Sequence, residues 1–343
     1  MDLWLALLLC VVAGFIVSYV LGFAVIPWLH KLKFGQTILD IGPSWHKKKQ
    51  GTPTMGGILI VAGFIAAVVV TLVTDNLLGG KVLLFENFRP EDVVYIKIFS
   101  GILMALAFSM IGFIDDYIKV VKKRNLGLTE IQKTALQCLV ITVYLFTLYK
   151  CGVNYIFIPY YGILENTVLF FVLGFVAMYA TVNAVNFTDG VDGLCTSVTS
   201  IACIAFAVCG VIMNFAGVSL IACGLFGALI GFLMWNWNPA KVIMGDMGSF
   251  FLGGMICMFA FSLDAPWLII LIGVIYVAEF GSDIIQIAYV KTHNGKRLFK
   301  MAPIHHHYEM SGWNEKKICK VFSLVTIIGS IAAVALCWFG RIQ

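Results

Sequence analysis

Hydrophobic positions in this chain come in long unbroken runs, and polar residues collect in short stretches between them. Ten runs stand out, at Leu3–Ile26, Thr54–Val73, Tyr95–Ile114, Ile131–Tyr149, Thr167–Asn186, Leu194–Met213, Gly217–Trp235, Gly248–Leu263, Trp267–Val290 and Ile318–Phe339. A helix of about 20 apolar residues crosses the hydrocarbon core of a bilayer, so each run predicts one crossing. The turns at Asn214–Ala216 and Asp264–Pro266 are so short that their flanking runs must be antiparallel neighbours. A closed β-barrel would alternate apolar and polar residues instead. The pattern predicts an all-α integral membrane protein of about ten transmembrane helices. It reads as one polytopic domain over residues 1–343, without internal repeats or low-complexity segments.

Composition agrees. The chain is 61% hydrophobic and 12% charged, with a mean hydropathy of +0.96. A water-soluble domain carries about 25% charged residues, so lipid must replace water over much of this surface. The first run is long, lacks a basic leader and is preceded by Asp2, unlike a cleaved signal segment. Cys10, Cys138, Cys203, Cys209, Cys223, Cys257 and Cys337 lie inside apolar runs, and no CxxC occurs. Neither a disulfide framework nor a zinc or thiol redox site is expected.

Charge then sets the orientation. With the N-terminus outside, 18 of the 23 Lys and Arg residues fall in the loops after runs one, three, five, seven and nine. The other face receives only Lys81, Arg89, Lys97, Lys150 and Arg341. Basic residues stay on the cytoplasmic side, so both termini are expected outside.

The polar motifs gather on that same basic face. Asp115 and Asp116 end the third run in Ser109-Met-Ile-Gly-Phe-Ile-Asp-Asp-Tyr117. Adjacent carboxylates at a helix C-terminus repel each other and oppose the macrodipole. A divalent cation, or a lysine such as Lys119 one turn on, relieves both costs; an ordinary hydrated helix end is the plainer reading. Asn183-Ala-Val-Asn-Phe-Thr-Asp-Gly-Val-Asp-Gly193 packs Asn183, Asn186, Asp189 and Asp192 into one loop without a basic residue. Oxygen-only ligands suit a hard cation such as Mg²⁺ beside phosphates and hydroxyls. In Asn236-Trp-Asn-Pro-Ala-Lys-Val-Ile-Met-Gly-Asp246, the acid opens the eighth run. There it is either a helix cap or part of a phosphate site built through a metal.

Ala302-Pro-Ile-His305-His306-His307-Tyr-Glu309 follows a basic stretch from Lys291 to Lys300. Neighbouring side chains diverge, so three consecutive histidines cannot share one metal from a helix. Contacts to phosphate or sugar oxygens fit better, with one imidazole available as acid or base. Lys47 to Gly57 carries a lysine triplet into the second run, which by default is a positive-inside anchor. Glu279 and Asp283 stand one turn apart within the ninth run, where intramembrane carboxylates face the bundle interior. Acids enough for Mg²⁺, flanked by cations at a membrane face, describe a site for a phosphorylated substrate.

The motifs resemble those of the phospho-N-acetylmuramoyl-pentapeptide transferases, within the polyprenyl-phosphate N-acetylhexosamine-1-phosphate transferase superfamily. Asp115–Asp116, the Asn183–Gly193 loop and Gly245-Asp246 are similar to motifs of the whole superfamily. Gly51-Thr-Pro-Thr-Met-Gly-Gly57 and Pro303-Ile-His-His-His-Tyr-Glu-Met-Ser-Gly-Trp313 resemble the muramoyl branch, and the triple histidine discriminates best.

The resemblance implies transfer of phospho-N-acetylmuramoyl-pentapeptide from UDP-N-acetylmuramoyl-pentapeptide to undecaprenyl phosphate, giving lipid I and UMP with Mg²⁺. The setting it implies is the cytoplasmic face of a bacterial plasma membrane, among membrane lipid and with no nucleic acid partner; a homodimer is left open. By motif, Asp246 is the expected metal ligand with Asp115 and Asp116 close by, and these acids with His305 form the catalytic set. His306 and His307 join His305 on the sugar–phosphate side, and Asn186, Asp189 and Asp192 lie on the nucleotide side. Lys119 and Lys133, in Gly127-Leu-Thr-Glu-Ile-Gln-Lys133, would steer phosphates, while Lys48, Thr52, Asn183 and Asn236 complete the expected binding set.

Three positions depart from the pattern. Ile243 stands where the family usually has a Phe linked to uracil stacking, Met247 replaces a common Thr, and Asp283 replaces an apolar residue. Direct in-line attack by the lipid phosphate, with Asp115 assisting any residual proton removal, is expected over an aspartyl-phosphate route. The rival readings are a sister transferase using UDP-N-acetylglucosamine and an ion-coupled secondary transporter. The triple histidine argues against the first. The second expects midplane sites in repeated halves, which are not evident here.

Overall fold

The computed structural model describes residues 1–32, 51–85, 87–121 and 127–340. The expected Lys48 contact lies outside the described residues. Among these described residues, twelve α-helices and one hairpin follow in order: α1 Leu3–Lys31, α2 Gly57–Leu77, α3 Glu91–Val121, α4 Glu130–Lys150, β1 Tyr155–Ile158, β2 Gly162–Glu165, α5 Thr167–Thr188, α6 Leu194–Ile212, α7 Ala216–Asn236, α8 Gly245–Ser262, α9 Leu268–Ile272, α10 Val274–Thr292, α11 Ile304–Glu309 and α12 Glu315–Phe339. Among the described residues, nine of these helices are long and apolar enough to cross a membrane.

The expected ninth crossing is different. Gly273 separates α9 from α10, and α10 carries Glu279, Asp283 and Lys291, too many charges for a uniformly apolar span. Its buried positions, Ile275, Tyr276, Glu279, Ser282 and Gln286, form one stripe at helical spacing. That stripe is partly polar and faces protein.

Helix α8 is the hub, with every residue from Gly248 to Ser262 buried. Small residues let its neighbours come close, as membrane helix packing requires. A Cβ at Gly112 of α3 would stand 2.2 Å from the Asp246 carbonyl oxygen, and one at Gly57 of α2 would stand 2.4 Å from the Gly248 nitrogen. Gly112 lies one turn before Asp115, so this close approach brings the start of α8 against the acidic end of α3. The main apolar cluster runs without a break from Ile26 to Cys337.

The end of the bundle away from the acids is held by polar staples. Lys97, wholly buried in α3, bonds Asp264 in the turn after α8, and Arg89 adds a 3.2 Å contact to the same carboxylate. The terminal ammonium of Met1 meets Asp75 at 3.0 Å. The hairpin β1–β2 pairs antiparallel in the register Ile156↔Leu164, and Phe157 N–H donates to the Asp264 carbonyl. Tyr160 N–H donates to the Gly340 carbonyl, so both described chain ends lie at this end. Asn214 and Asp264 take left-handed backbone in the two short turns, consistent with the tight antiparallel connections expected there.

Candidate active site

The site is built where the C-terminal end of α3, the start of α4, the α5–α6 loop and the start of α8 converge. Asp115 and Asp116 are buried on the last turns of α3. Asp246 enters from the first turn of α8. Single oxygens of these three carboxylates lie within 4.8 Å of one another, close enough to share one metal ion. That donor set fits a hard divalent cation, which takes oxygen ligands and leaves positions for phosphate.

Two ammonium groups already bridge the acids. Lys119 Nζ lies 2.6 Å from Asp115 Oδ2, 3.0 Å from Asp246 Oδ2 and 3.8 Å from Asp116 Oδ1. Lys133 Nζ lies 3.1 Å from Asp115 Oδ2 and 3.4 Å from Asp246 Oδ2. Lys133 is presented by a capping box at the start of α4, where Thr129 accepts from Gln132 N–H and Gln132 accepts from Thr129 N–H. Leu128 N–H donates to Asp115 Oδ1 at 2.7 Å, drawing this loop onto the acid cluster. Met247 N–H donates to Asp116 Oδ2 at 3.2 Å.

The C-terminal end of α5 and the loop after it complete this side. Asn186 Nδ2 donates to Asp246 Oδ1 at 3.0 Å and to Ser249 Oγ at 2.8 Å. Asp189 caps α5, where burial and then the Asp246 carboxylate push it well above the usual range, opposed by the Gly245 N–H that bonds it. These residues therefore gather as the sequence motifs suggested.

Other expected contacts are placed further back. Asn183 sits within α5, bonding Gln137 at 3.0 Å and the Tyr179 carbonyl. Asn236 is buried; its Oδ1 accepts from Gly193 N–H and Thr196 Oγ1, and its Nδ2 donates to the Val242 carbonyl. Asp192 accepts from Asn238 Nδ2 and Ala240 N–H, while its own N–H donates to Glu315. Thr52 leads into a segment stitched to the stretch before α8: Ile243 N–H donates to the Pro53 carbonyl, and Gly56 N–H to the Ile243 carbonyl. Buried amides with all these partners act as braces, holding the loop that presents Asp246.

The three histidines diverge, as neighbours on a helix must. They occupy the short helix α11, which Tyr308 anchors by packing on Trp313 and Phe322. His305 is buried and turns inward, its Nδ1 3.0 Å from Glu279 Oε2. His306 Nδ1 lies 2.6 Å from Glu309, and His307 Nδ1 accepts from Lys300 N–H at 3.1 Å. Gly190 of the α5–α6 loop lies against His305, so α11 joins the same assembly.

Sequence reasoning missed the braces Gln137, Ser249, Asn238 and Glu315; Asn238 and Ser249 lie in or beside the Asn236–Asp246 motif, while Gln137 and Glu315 are ordinary polar residues outside any motif. The Thr129-x-x-Gln132 capping box carried a readable signal.

Residues 98–264 match the model of Glycosyl transferase family 4, and residues 49–61 match Phospho-N-acetylmuramoyl-pentapeptide-transferase signature 1. A phospho-N-acetylmuramoyl-pentapeptide-transferase of Clostridium botulinum (strain Alaska E43 / Type E3) is 44% identical over 92% of this chain and 91% of its own length. One from Clostridium perfringens (strain SM101 / Type A) is 41% identical over 96% of each chain. One from Bacillus mycoides (strain KBAB4) is 42% identical over 95% of this chain and 97% of its own.

Proposed function

The chain belongs to the phospho-N-acetylmuramoyl-pentapeptide transferase family, and from that premise we propose that it moves phospho-N-acetylmuramoyl-pentapeptide from its UDP-linked donor to undecaprenyl phosphate. The products are lipid I and UMP. The observation that carries this reading is the triad Asp115, Asp116 and Asp246, bridged by Lys119 and Lys133 at one end of a membrane bundle.

Asp246, Asp115 and Asp116 would hold Mg²⁺, which supplies neutralisation of charge on the donor phosphates. The chain's own residues do the rest. Lys119 and Lys133 bind and orient phosphate oxygens. An oxygen of the lipid phosphate attacks the donor's β-phosphorus in line, and the bond to the bridging oxygen breaks as UMP leaves. A phosphate monoester with a second pKa of about 6 is largely dianionic at neutral pH, so no strong base is needed. Asp115, held by two ammonium groups and the Leu128 N–H, anchors the lysine pair and assists any residual proton removal. Stabilisation is electrostatic and positional.

As a multi-pass bacterial membrane protein, the chain works as a single polytopic domain with its site toward the cytoplasm. The bias of Lys and Arg supports that orientation, since the acid cluster shares its end of the bundle with the basic loops. A water-soluble nucleotide sugar there meets the head group of a lipid that never leaves the bilayer. Purified protein given the muramoyl donor, undecaprenyl phosphate and Mg²⁺ should convert the donor's sugar label to an organic-extractable form. Label left wholly in the aqueous phase contradicts the reading.

A further inference from the structure

The buried face of α10 is polar where it meets the histidine helix. Gln286 Oε1 accepts from Leu298 and Phe299 N–H, and its Nε2 donates to the Phe299 carbonyl. Two turns earlier, Glu279 Oε2 lies 3.0 Å from His305 Nδ1 and accepts from His305 N–H at 3.5 Å. Both Glu279 and His305 are wholly buried. One face of α10 thus grips both ends of the segment leading into α11.

This grip decides what His305 presents. A carboxylate on Nδ1 holds the proton there and leaves Nε2 as the outward-acting nitrogen. Among the described residues His305 Nε2 has no hydrogen-bond partner, although it is buried. Leaving such a group unpaired costs about 1–3 kcal/mol, which argues for a ligand group at that nitrogen. Its direction is also fixed: a Cβ at Gly190 would lie 2.3 Å from Nε2 and 2.8 Å from Cε1. Gly190 follows Asp189 in the loop just after α5, whose last turn brings Asn186 to Asp246. The absent side chain at 190 is what makes room for the imidazole.

We infer that Glu279 is a positioning residue for the transfer reaction, fixing the His305 imidazole so that Nε2 points through the gap left by Gly190 into the donor side of the site. The inference rests on the transferase reading of that site. His305 Nε2 then accepts from a donor hydroxyl, or donates to a phosphate oxygen when protonated, and Glu279 itself touches neither.

The test uses the full-length protein in detergent, with kcat and KM for the UDP-linked donor measured by UMP release and a melting curve for each variant. Glu279→Leu and His305→Ala should each lower kcat about ten- to a hundredfold, the usual effect of removing a partner that orients a functional imidazole. KM should move much less than kcat. The double variant should be no slower than His305→Ala alone, because both changes remove one unit. Glu279→Gln, which keeps an acceptor for Nδ1, should recover most of the loss. Gly190→Ala, which crowds Nε2 from the other side, should also add nothing to His305→Ala, and it decides the matter if Glu279→Leu does not fold.

Losses that multiply in either double variant, or a Glu279→Leu protein with wild-type kcat, would overturn the inference. A wild-type protein that releases no UMP would overturn the transferase reading instead, so the two failures are distinct.

Discussion

Lys119 on α3 reaches across to Asp246 on α8, with Nζ 3.0 Å from Oδ2, and the same ammonium touches Asp115 at 2.6 Å. One lysine therefore sits among the acids proposed to hold a divalent cation. At about 4 Å, two unit charges interact by roughly 4 kcal/mol at an effective dielectric of 20, so the ammonium and the metal ion compete. Replacing Lys119 with Gln should tighten Mg²⁺ or Mn²⁺ binding to the substrate-free protein while lowering turnover about a hundredfold. Asp246→Asn should weaken both. Calorimetric titration beside a turnover assay checks this, and weaker metal binding in Lys119→Gln would contradict it.

Asn186, near the C-terminal end of α5, ties that helix to α8 by donating to both Asp246 and Ser249. Asn186→Leu removes both bonds at similar volume and should cut kcat about ten- to a hundredfold. Its melting temperature should fall only slightly, because the α5–α6 loop keeps its braces through Asn236 and Asp192.

Lys97 supplies the opposite result. It is buried at the other end of the bundle and bonds Asp264. Lys97→Met leaves that carboxylate with Arg89 as its remaining ion-pair partner. Breaking one side of a buried ion pair costs about 3–5 kcal/mol; the Arg89 contact places the expected loss at the lower end. Thermal unfolding in detergent should show that loss, with kcat at low temperature unchanged.

Thr129 caps α4 and so sets where Lys133 begins its reach. Thr129→Ala should cost about 1 kcal/mol of stability and raise the donor KM severalfold. Chemical denaturation and steady-state kinetics measure the two effects separately.

The helical bundle was legible in the sequence because lipid imposes long apolar runs, and nine of them became helices of crossing length. The ninth expected run, Trp267–Val290, is helical too, but it breaks at Gly273 into α9 and α10, and its carboxylates answer to a protein neighbour that periodicity does not reveal. The β1–β2 hairpin passed unread between two runs, although its aromatic and β-branched residues around Pro159-Tyr-Tyr-Gly162 had strand character. At the site, the acids were legible as clusters of costly charges. Their spatial order was not: Asn236 and Asp192 look like ligands in the sequence, yet both are bonded within the loops that carry Asp246. Glu279 could be read as an inward-facing carboxylate, but only folding supplies His305 as its partner.

The central claim is tested most directly by UMP release from purified protein with undecaprenyl phosphate, comparing UDP-N-acetylmuramoyl-pentapeptide with UDP-N-acetylglucosamine, each with Mg²⁺ and with EDTA. The account predicts UMP from the muramoyl donor alone, matched by lipid-linked product and abolished by EDTA or by Asp246→Asn. UMP from UDP-N-acetylglucosamine, or from neither donor, would contradict it.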